Sequence, residues 1–351
     1  MKAGLGHTKA AQALEEYAKI NLPDFKIKHV DFCEIDPLLG NFFVKFYDIT
    51  NAYLPALWGL VYEAFDKETI LVAFRKVDGF QQLFKRRIGR YLKKQNPDGI
   101  IFTNVVPAPM VVPPCRKFFP NIPMAVVVTD YHGHSYYNVP LIDRYFVSIP
   151  EVKKDLTRVG VDKDKISVTG IPVAQEFYSN YDQTNLKRKL GFKNNFKTVL
   201  FSSRLSKEFI IPSLEGLLTM DEPINLAMIC GGNNELYKKI KERIPPQENF
   251  KLVIWADRLD EYMKAADVVV SKPGGLIISE CLALDRKLIM TDPIPGQEER
   301  NAEFMTKYGY GKKAIEPDEI VSAVREILLL PKTDSIIERY NASAKIFEYF
   351  K

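Results

Sequence analysis

Short, continuous apolar runs rich in β-branched residues recur along this chain, and turn residues bound each of them. They occupy residues 99–103, 124–129, 145–148, 165–168, 198–201, 225–230, 251–254, 268–271 and 287–291. Stretches with helical periodicity, such as 151–159 and 276–284, lie between most of them. Apolar strands that alternate with helices indicate parallel sheets buried on both faces, which predicts an α/β fold. Ligands of such folds bind at the carboxyl ends of the strands, so we expect chemistry in the strand-to-helix loops.

The chain has 351 residues, a length that predicts about two domains. A polar and aromatic connector follows residue 171, and the pattern of strands and helices restarts at Lys197. We therefore predict two α/β domains, residues 1–172 and 173–351. Residues 335–350 have the period of an amphipathic helix.

Composition excludes several classes of protein. Hydrophobic residues make up 46% and charged residues 26%, which excludes a disordered chain. The net charge of +5 is too small to indicate nucleic acid, but it suits an anionic membrane surface or a nucleotide substrate. No apolar run reaches the ~18 residues of a transmembrane helix, and the N-terminus lacks the pattern of a secretory signal. The cysteines form no C-x-x-C pair, which argues against zinc, and Cys230 and Cys281 in apolar runs favour the reducing cytoplasm.

The segment 37–94 differs from the rest of the chain. Eight aromatic residues stand between positions 42 and 65: Phe42, Phe43, Phe46, Tyr47, Tyr53, Trp58, Tyr62 and Phe65. They are followed by a basic cluster of Lys85, Arg86, Arg87, Arg90, Lys93 and Lys94. Aromatic anchors beside cations suit anionic lipid, and Trp58, Lys85, Arg86 and Arg87 are the candidate membrane contacts. The alternative is a buried aromatic helix followed by a solvated basic face.

The first chemical motif is G-L-G-H-T-K-A-A at residues 4–11. Glycines allow close approach of a ligand, and a helix N-terminus attracts negative charge. A neutral His7 at this terminus could accept a proton from an attacking hydroxyl. A capping or packing role for His7 is the alternative.

A second motif, T-D-Y-H-G-H at residues 129–134, ends an apolar strand. Asp130 and His134 could orient each other or a substrate hydroxyl. The H-x-H pair leaves a metal site as a lesser alternative, because no further ligand stands at a suitable spacing.

Two more motifs follow strands in the second predicted domain. In S-K-P-G-G-L-I-I-S-E at 271–280, a Gly pair begins a helix whose N–H groups suit a diphosphate, and Glu280 could accept both hydroxyls of a ribose. In D-P-I-P-G-Q-E-E-R-N-A at 292–302, Gln297 and Glu298 offer the amide and carboxylate groups that bind sugar hydroxyls. Helix capping is the alternative for Glu298 and Glu299.

These motifs together resemble one family. The run 271–302, N-P-D-G-I-I-F-T at 96–103, V-T-D-Y-x-x-H at 128–134, Y-F-V-x-x-x-E-V-K at 145–153 and V-T-G-I-P-V at 168–173 stand in the family's order. They are similar to the processive diacylglycerol glucosyltransferases and the monogalactosyldiacylglycerol synthases. The resemblance covers nearly the whole chain.

The resemblance implies a GT-B fold, in which two Rossmann-like domains face each other across a cleft. It implies an inverting transfer of glucose or galactose from a UDP-sugar to diacylglycerol, without a metal or other cofactor. The enzyme would be peripheral on the cytoplasmic face of an anionic membrane. His7 would be the general base, with Asp130 and His134 lining the acceptor side.

The implied donor site comprises Gly232, Asn233, Trp255, Ala256, Lys272, Pro273, Gly274, Gly275, Leu276, Glu280, Gln297 and Glu298. Residues 255–259 resemble the loop that reads uracil, and residues 230–233 resemble a strand-end donor loop. The loop 272–276 would hold the diphosphate, Glu280 the ribose, and Gln297 and Glu298 the sugar.

Two departures from the family matter. The family has a strand before its G-x-G-H motif, and only Met1-Lys2-Ala3 stands there, so we expect the first strand of the N-terminal domain to be missing. The Gly-rich loop after the first strand of the second domain is replaced by a run containing Ser203 and Arg204. Arg204 could contact a phosphate or block the site. These departures motivate one alternative, a non-catalytic UDP-sugar-binding regulator. The other alternative is a transferase of the same fold that acts on a polyprenyl-linked acceptor.

Overall fold

The computed structural model describes residues 5–38, 40–42, 44–45, 78–202, 207–329 and 341–351. Two compact units divide the chain. Unit 1 comprises residues 1–175, 294–300 and 340–351, and unit 2 comprises residues 176–293 and 301–339. Residues 1–4, Trp58 and the Ser203–Arg204 run, each of which the sequence singled out, lie outside the described residues.

Unit 1 is built on a parallel sheet in the order β1-β2-β3-β4. Its strands are β1 (Ile100–Phe102), β2 (Met124–Val127), β3 (Arg144–Val147) and β4 (Ile166–Val168). Its helices are α1 (Leu5–Asn21), α2 (Phe32–Ile35), α3 (Asp78–Gln95), α4 (Ala108–Phe118) and α5 (Pro150–Arg158). Strand β2 is buried along its whole length, as expected for a sheet covered on both faces.

Unit 2 is built on a six-stranded parallel sheet in the order β10-β9-β8-β5-β6-β7. Its strands are β5 (Lys197–Ser202), β6 (Ile224–Ile229), β7 (Phe250–Val253), β8 (Val268–Ser271), β9 (Lys287–Met290) and β10 (Gly311–Lys313). Its helices are α6 (Gln183–Lys189), α7 (Lys207–Leu218), α8 (Asn234–Arg243), α9 (Leu259–Ala265), α10 (Gly275–Leu284), α11 (Gln297–Lys307) and α12 (Pro317–Leu329). Residues 297–300 of α11 belong to unit 1.

The strand order of unit 2 reverses direction between β5 and β8. Successive strands run outward from β5 through β6 and β7, and then outward again from β8 through β9 and β10. The loops that leave β5 and β8 therefore diverge at the carboxyl ends of the strands, which is the topological position where open α/β sheets bind ligands.

A last helix, α13 (Ala342–Glu348), closes the core of unit 1. Its Ile346 and Phe347 are buried with Leu14 and Ala18 of α1 and with the strand residue Phe146. The ring of Phe347 also stacks on Tyr17 at a centroid distance of 5.9 Å. Residues near the end of the sequence thus complete the hydrophobic core that the first helix begins. The core of unit 2 is a separate cluster around β5, β6, β8, α7 and α12.

Candidate functional site

His7 lies in the first turn of α1, as the G-x-G-H motif predicts, and its imidazole is partly buried. The Nδ1 atom lies 2.8 Å from the carbonyl oxygen of Thr103, at the end of β1, and 2.8 Å from Oγ1 of Thr129, after β2. A carbonyl oxygen only accepts hydrogen bonds, so Nδ1 carries the proton in the neutral ring. The basic nitrogen is therefore Nε2.

The surroundings of His7 favour this neutral form. Burial lowers the pKa of His7 below its ordinary value, although the negative charge of Asp130 and the bond to Thr103 oppose the shift. A lowered pKa leaves Nε2 unprotonated at neutral pH. The ring can then receive a proton from a nearby hydroxyl, which is what a general base requires.

Asp130 follows the end of β2 and is almost completely buried. The hydroxyl of Tyr137 donates to its Oδ2 at 2.7 Å. Nε2 of Gln297 donates to the same carboxylate, 2.8 Å from Oδ1 and 3.0 Å from Oδ2. Ser148 Oγ donates to the Asp130 backbone carbonyl at 2.7 Å, which holds the loop on β3. Two predicted site residues from distant motifs, Asp130 and Gln297, are thus brought together.

The two histidines of the H-x-H pair have different surroundings. His134 is fully buried, and its Nδ1 accepts a hydrogen bond of 3.2 Å from the backbone N–H of Tyr136, which caps a short 3₁₀ turn. His132 Nδ1 lies 3.2 Å from Oδ2 of Asp155, and its Nε2 contacts the guanidinium of Arg300. Both imidazoles therefore have protein partners. Over the ranges that the structure covers, no cluster of three or more potential metal-ligating side chains occurs.

The loop between β8 and α10 provides an open helix N-terminus in unit 2. Gly274 is the N-cap residue, and among the described residues no side chain caps the first N–H groups of α10. A buried Asn301 donates to the carbonyl oxygen of Pro273 at 3.1 Å and fixes the loop from below. Lys272 forms an ion pair of 2.8 Å with Asp292, which follows β9. An uncapped helix N-terminus attracts anions, and the role of Gly275 and Leu276 in binding a diphosphate stays a prediction.

Other predicted donor residues lie on the neighbouring loops of unit 2. Gly231 and Gly232, after β6, have φ angles of 57° and 86°, which glycine adopts most readily. The N–H of Gly232 donates to the carbonyl oxygen of Ile254 at 2.6 Å, which ties this loop to the one after β7. Trp255 in the second loop is 60% exposed, and its Nε1 donates to Asp257 at 2.8 Å. An exposed indole beside a glycine turn offers a flat face to a base.

Three more of these residues take part in local structure. Asn233 is the N-cap of α8 and accepts a bond of 3.0 Å from the N–H of Leu236. Ala256 is partly buried beside Trp255. Glu280 lies on α10, partly buried, and its negative charge contributes to the raised pKa of the adjacent Cys281, behind burial as the main cause.

The capping alternative applies to Glu298. Its Oε2 accepts a hydrogen bond of 2.8 Å from the N–H of Ile294, and Glu299 accepts one of 2.9 Å from the N–H of Gly296. These bonds make the turn at residues 294–300 rigid. Gln297 differs from its neighbours, because its side chain extends to Asp130.

The basic surface predicted for the membrane lies on α3. Arg86, Arg87 and Arg90 are exposed, and Arg87 also contacts the buried Asp36 at 3.5 Å. The side chain of Lys85 lies outside the described residues, and Lys93 lies over the ring of Phe118 at 4.2 Å. None of the helices placed in the structure has the length and apolar character that crossing a membrane requires.

Some contacts of the candidate site had no signal in the sequence. The carbonyl of Thr103 is a backbone group, and any residue could supply it. His132, Asp155 and Arg300 come from three separate elements. Asn301 stood inside a predicted motif, but its contact with Pro273 depends on the packing of α11 against the β8 loop.

Two family models match the sequence of this chain. The family model described as monogalactosyldiacylglycerol (MGDG) synthase matches residues 7–173. The model described as glycosyl transferases group 1 matches residues 182–344.

Curated relatives match over most of their length. The processive diacylglycerol beta-glucosyltransferase of Staphylococcus carnosus (strain TM300) is 30% identical over 329 residues, which are 92% of this chain and 82% of the relative. The protein of the same name from Staphylococcus saprophyticus is 28% identical over 354 residues, covering 99% of this chain and 88% of the relative.

Solved structures share the fold. UDP-GlcNAc 2-epimerase from Neisseria meningitidis, bound to UDP-GlcNAc, has a TM-score of 0.57 and 17% identity, covering 77% of this chain and 81% of that one. The Staphylococcus aureus MnaA–UDP co-structure has a TM-score of 0.55 and 14% identity, with 77% and 78% covered. The prediction of two Rossmann-like parallel sheets of the GT-B class is confirmed.

Proposed function

Because the chain belongs to the diacylglycerol glycosyltransferase family, a family of UDP-sugar-dependent enzymes, we propose that it transfers glucose from UDP-glucose to diacylglycerol. The observation that carries this proposal is the state of His7. Its Nδ1 proton is held by the Thr103 carbonyl, which leaves Nε2 as the base for an acceptor hydroxyl. The choice of glucose follows the names of the curated relatives.

We infer an inverting mechanism with one displacement. His7 Nε2 takes the proton of the acceptor hydroxyl while the oxygen attacks the anomeric carbon. The bond from that carbon to the β-phosphate oxygen breaks, and UDP leaves with the electron pair. The uncapped N–H groups and the dipole of α10 stabilise the charge that builds on the phosphate. The acceptor oxygen displaces UDP directly, without a second nucleophile on the protein. The configuration at the anomeric carbon therefore inverts.

The donor would be bound by the residues that the sequence analysis predicts for it. The loop 272–276 would hold the diphosphate, and Glu280 would accept hydrogen bonds from the ribose hydroxyls. Trp255, Ala256, Gly232 and Asn233 would surround the uracil. Gln297 and Glu298 would face the sugar, of which Glu298 already bonds the backbone of its own turn. The scheme uses no metal or other cofactor, because the dipole and N–H groups take the place of a cation.

The acceptor is a membrane lipid, so we also propose that the enzyme works on the surface of an anionic bilayer at the inner face of the membrane. Exposed Arg86 and Arg90 on α3 support this, because clustered cations bind anionic headgroups. Asp130 and His134 would shape the acceptor side indirectly, since both are buried.

A transfer assay tests the function. The purified chain is incubated with labelled UDP-glucose and diacylglycerol in anionic micelles, and the lipids are then separated. We expect a labelled glycolipid from the wild type. His7→Ala should lower the rate by at least about a hundredfold, the contribution of a general base, with UDP affinity nearly unchanged.

His29→Ala is the matched control, because His29 is an exposed histidine of the same unit. Loss of UDP binding in His7→Ala would contradict the role of His7 as a base. Nucleotide binding by the wild type without any product would favour a regulator that only binds UDP-sugars.

Galactose is the second candidate sugar, because the family model that matches residues 7–173 is described as monogalactosyldiacylglycerol (MGDG) synthase. The same assay with labelled UDP-galactose decides between the two. A polyprenyl-linked acceptor in place of diacylglycerol would distinguish the remaining alternative.

A further inference from the structure

The loop from Asp130 to Tyr137 holds the turn at residues 294–300 at two points. Gln297 bonds the Asp130 carboxylate, and Arg300 bonds His132, whose other ring nitrogen is held by Asp155. All these residues belong to unit 1. The turn is also rigid in itself, because Glu298 and Glu299 bond its backbone N–H groups.

The carboxylate of Asp130 fixes the direction of the Gln297 amide. An ionised carboxylate accepts hydrogen bonds and donates none, so the nitrogen end of the amide must face it. The amide is planar, and its oxygen Oε1 therefore points away from Asp130. In this orientation, Oε1 is an acceptor for a hydroxyl, and the amide cannot rotate without leaving the carboxylate facing an oxygen.

The hydroxyl of Tyr137 holds Asp130 from the other side. It donates to Oδ2 at 2.7 Å, and the tyrosine is 2% exposed. A buried charge that keeps its hydrogen-bond donors stays in place, whereas one that loses a donor shifts toward other partners. The position of the Gln297 amide thus depends on a residue that lies behind the site.

We propose that Tyr137 is a positioning residue for the donor sugar: through Asp130 it orients the Gln297 amide so that Oε1 accepts a hydroxyl of the hexose. This inference rests on the proposed role of Gln297 at the donor sugar. It gives Asp130 a task separate from its electrostatic effect on His7. It also separates sugar recognition, which Tyr137 would control, from recognition of UDP, which it would not.

Tyr137→Phe tests the inference, with Tyr145→Phe as the matched control. Tyr145 is also 2% exposed in unit 1, and its hydroxyl bonds the backbone of Val139 at 3.0 and 3.1 Å. Both changes remove one buried hydroxyl from one ring. Affinities for UDP-glucose and for UDP are measured by calorimetry without acceptor, together with the melting temperature and the kcat and KM of transfer.

We expect Tyr137→Phe to bind UDP within about twofold of the wild type while losing about tenfold in affinity for UDP-glucose, the scale of a weakened polar contact. The KM for UDP-glucose should rise correspondingly. Tyr145→Phe should lower the melting temperature at least as much as Tyr137→Phe does. It should leave the ratio of the affinities for UDP and UDP-glucose unchanged. An unchanged ratio in Tyr137→Phe would overturn the inference, as would a wild type that binds UDP and UDP-glucose equally.

An exchange of the amide and the carboxylate between positions 297 and 130 provides a second test, which does not depend on Tyr137. Gln297→Glu places a carboxylate against Asp130 and should weaken UDP-glucose binding. Adding Asp130→Asn supplies an amide that can donate to the carboxylate introduced at position 297, so the double variant should recover part of the affinity. Equal weakness of the single and double variants would overturn the inference. A wild type that binds UDP-glucose but makes no glycolipid would contradict the proposed function alone.

Discussion

At the scale of the residue, one carbonyl oxygen decides which nitrogen of His7 is basic. Thr103 contributes no side-chain group to this contact, yet its carbonyl requires a proton on Nδ1. The ring is thereby oriented as well as assigned a tautomer. A histidine fixed in this way needs no carboxylate bonded to Nδ1, which leaves Asp130 available to Tyr137 and Gln297.

The pH dependence of transfer follows from the lowered pKa of His7. The base must be unprotonated, so kcat/KM should stay constant near pH 7 and fall as the pH drops through the pKa of His7. Because burial lowers that pKa, the midpoint should lie below about 6.5, the ordinary histidine value.

Asp130→Asn sharpens this test. The negative charge of Asp130 raises the pKa of His7, so its removal should move the midpoint of the pH profile to still lower pH. A midpoint above the ordinary value in the wild type, or an upward shift in the variant, would contradict the assignment of His7.

The sequence predicts which residues of the candidate site carry chemistry, but it does not predict which groups they contact. His7, Asp130 and Gln297 each stand in a local motif whose chemistry is readable. The bond between Gln297 and Asp130 joins residues 167 positions apart, and no local pattern encodes it. The same holds for the Thr103 carbonyl, because backbone groups leave no trace in the identity of a residue.

At the scale of the element, the β8 loop and the N-terminus of α10, which we propose for the diphosphate, are supported from α11. Asn301 is completely buried and donates to the Pro273 carbonyl at 3.1 Å. Without that donor the loop loses the contact that sets its position beneath the N-terminus of α10.

Asn301→Ala should therefore lower the affinity for UDP by about tenfold, as expected when a buried polar group loses its partner. Asn225→Ala is the control, because Asn225 is equally buried in unit 2 but bonds Lys193 and Phe196 instead. Calorimetric titration with UDP measures both. Equal losses of UDP affinity in the two variants would show a general effect on stability rather than support of this loop.

The strands show which elements of the fold an apolar sequence pattern predicts. Each of the nine apolar runs corresponds to an observed strand, from β1 to β9, with ends that differ by up to two residues. Strand β10 had no such pattern, because Gly311, Lys312 and Lys313 are not apolar and pair only with β9 at the edge of the described sheet. Burial on both faces makes a strand predictable, whereas an edge strand needs only backbone hydrogen bonds.

At the scale of the whole molecule, the charge on α3 predicts how the enzyme binds lipid. Arg86→Glu combined with Arg90→Glu should weaken binding to anionic vesicles, and added salt should weaken the wild type in the same way. Vesicle sedimentation measures the bound fraction.

The control for this pair is Lys238→Glu with Lys241→Glu on α8, which changes the net charge equally at exposed positions of unit 2. Equal loss in both pairs would mean that total charge, rather than the α3 surface, governs binding. Binding of the wild type to neutral vesicles at the same level would contradict the electrostatic part of the proposal.

The packing of α13 against α1 has a consequence for synthesis. A ribosome releases the first helix and sheet early, yet Ile346 and Phe347, which fill their core, emerge only after all of unit 2. Part of the apolar surface of unit 1 therefore stays uncovered while unit 2 is synthesised and folds. The nascent chain is most exposed to aggregation and to chaperones during that interval, which ends once α13 has been synthesised.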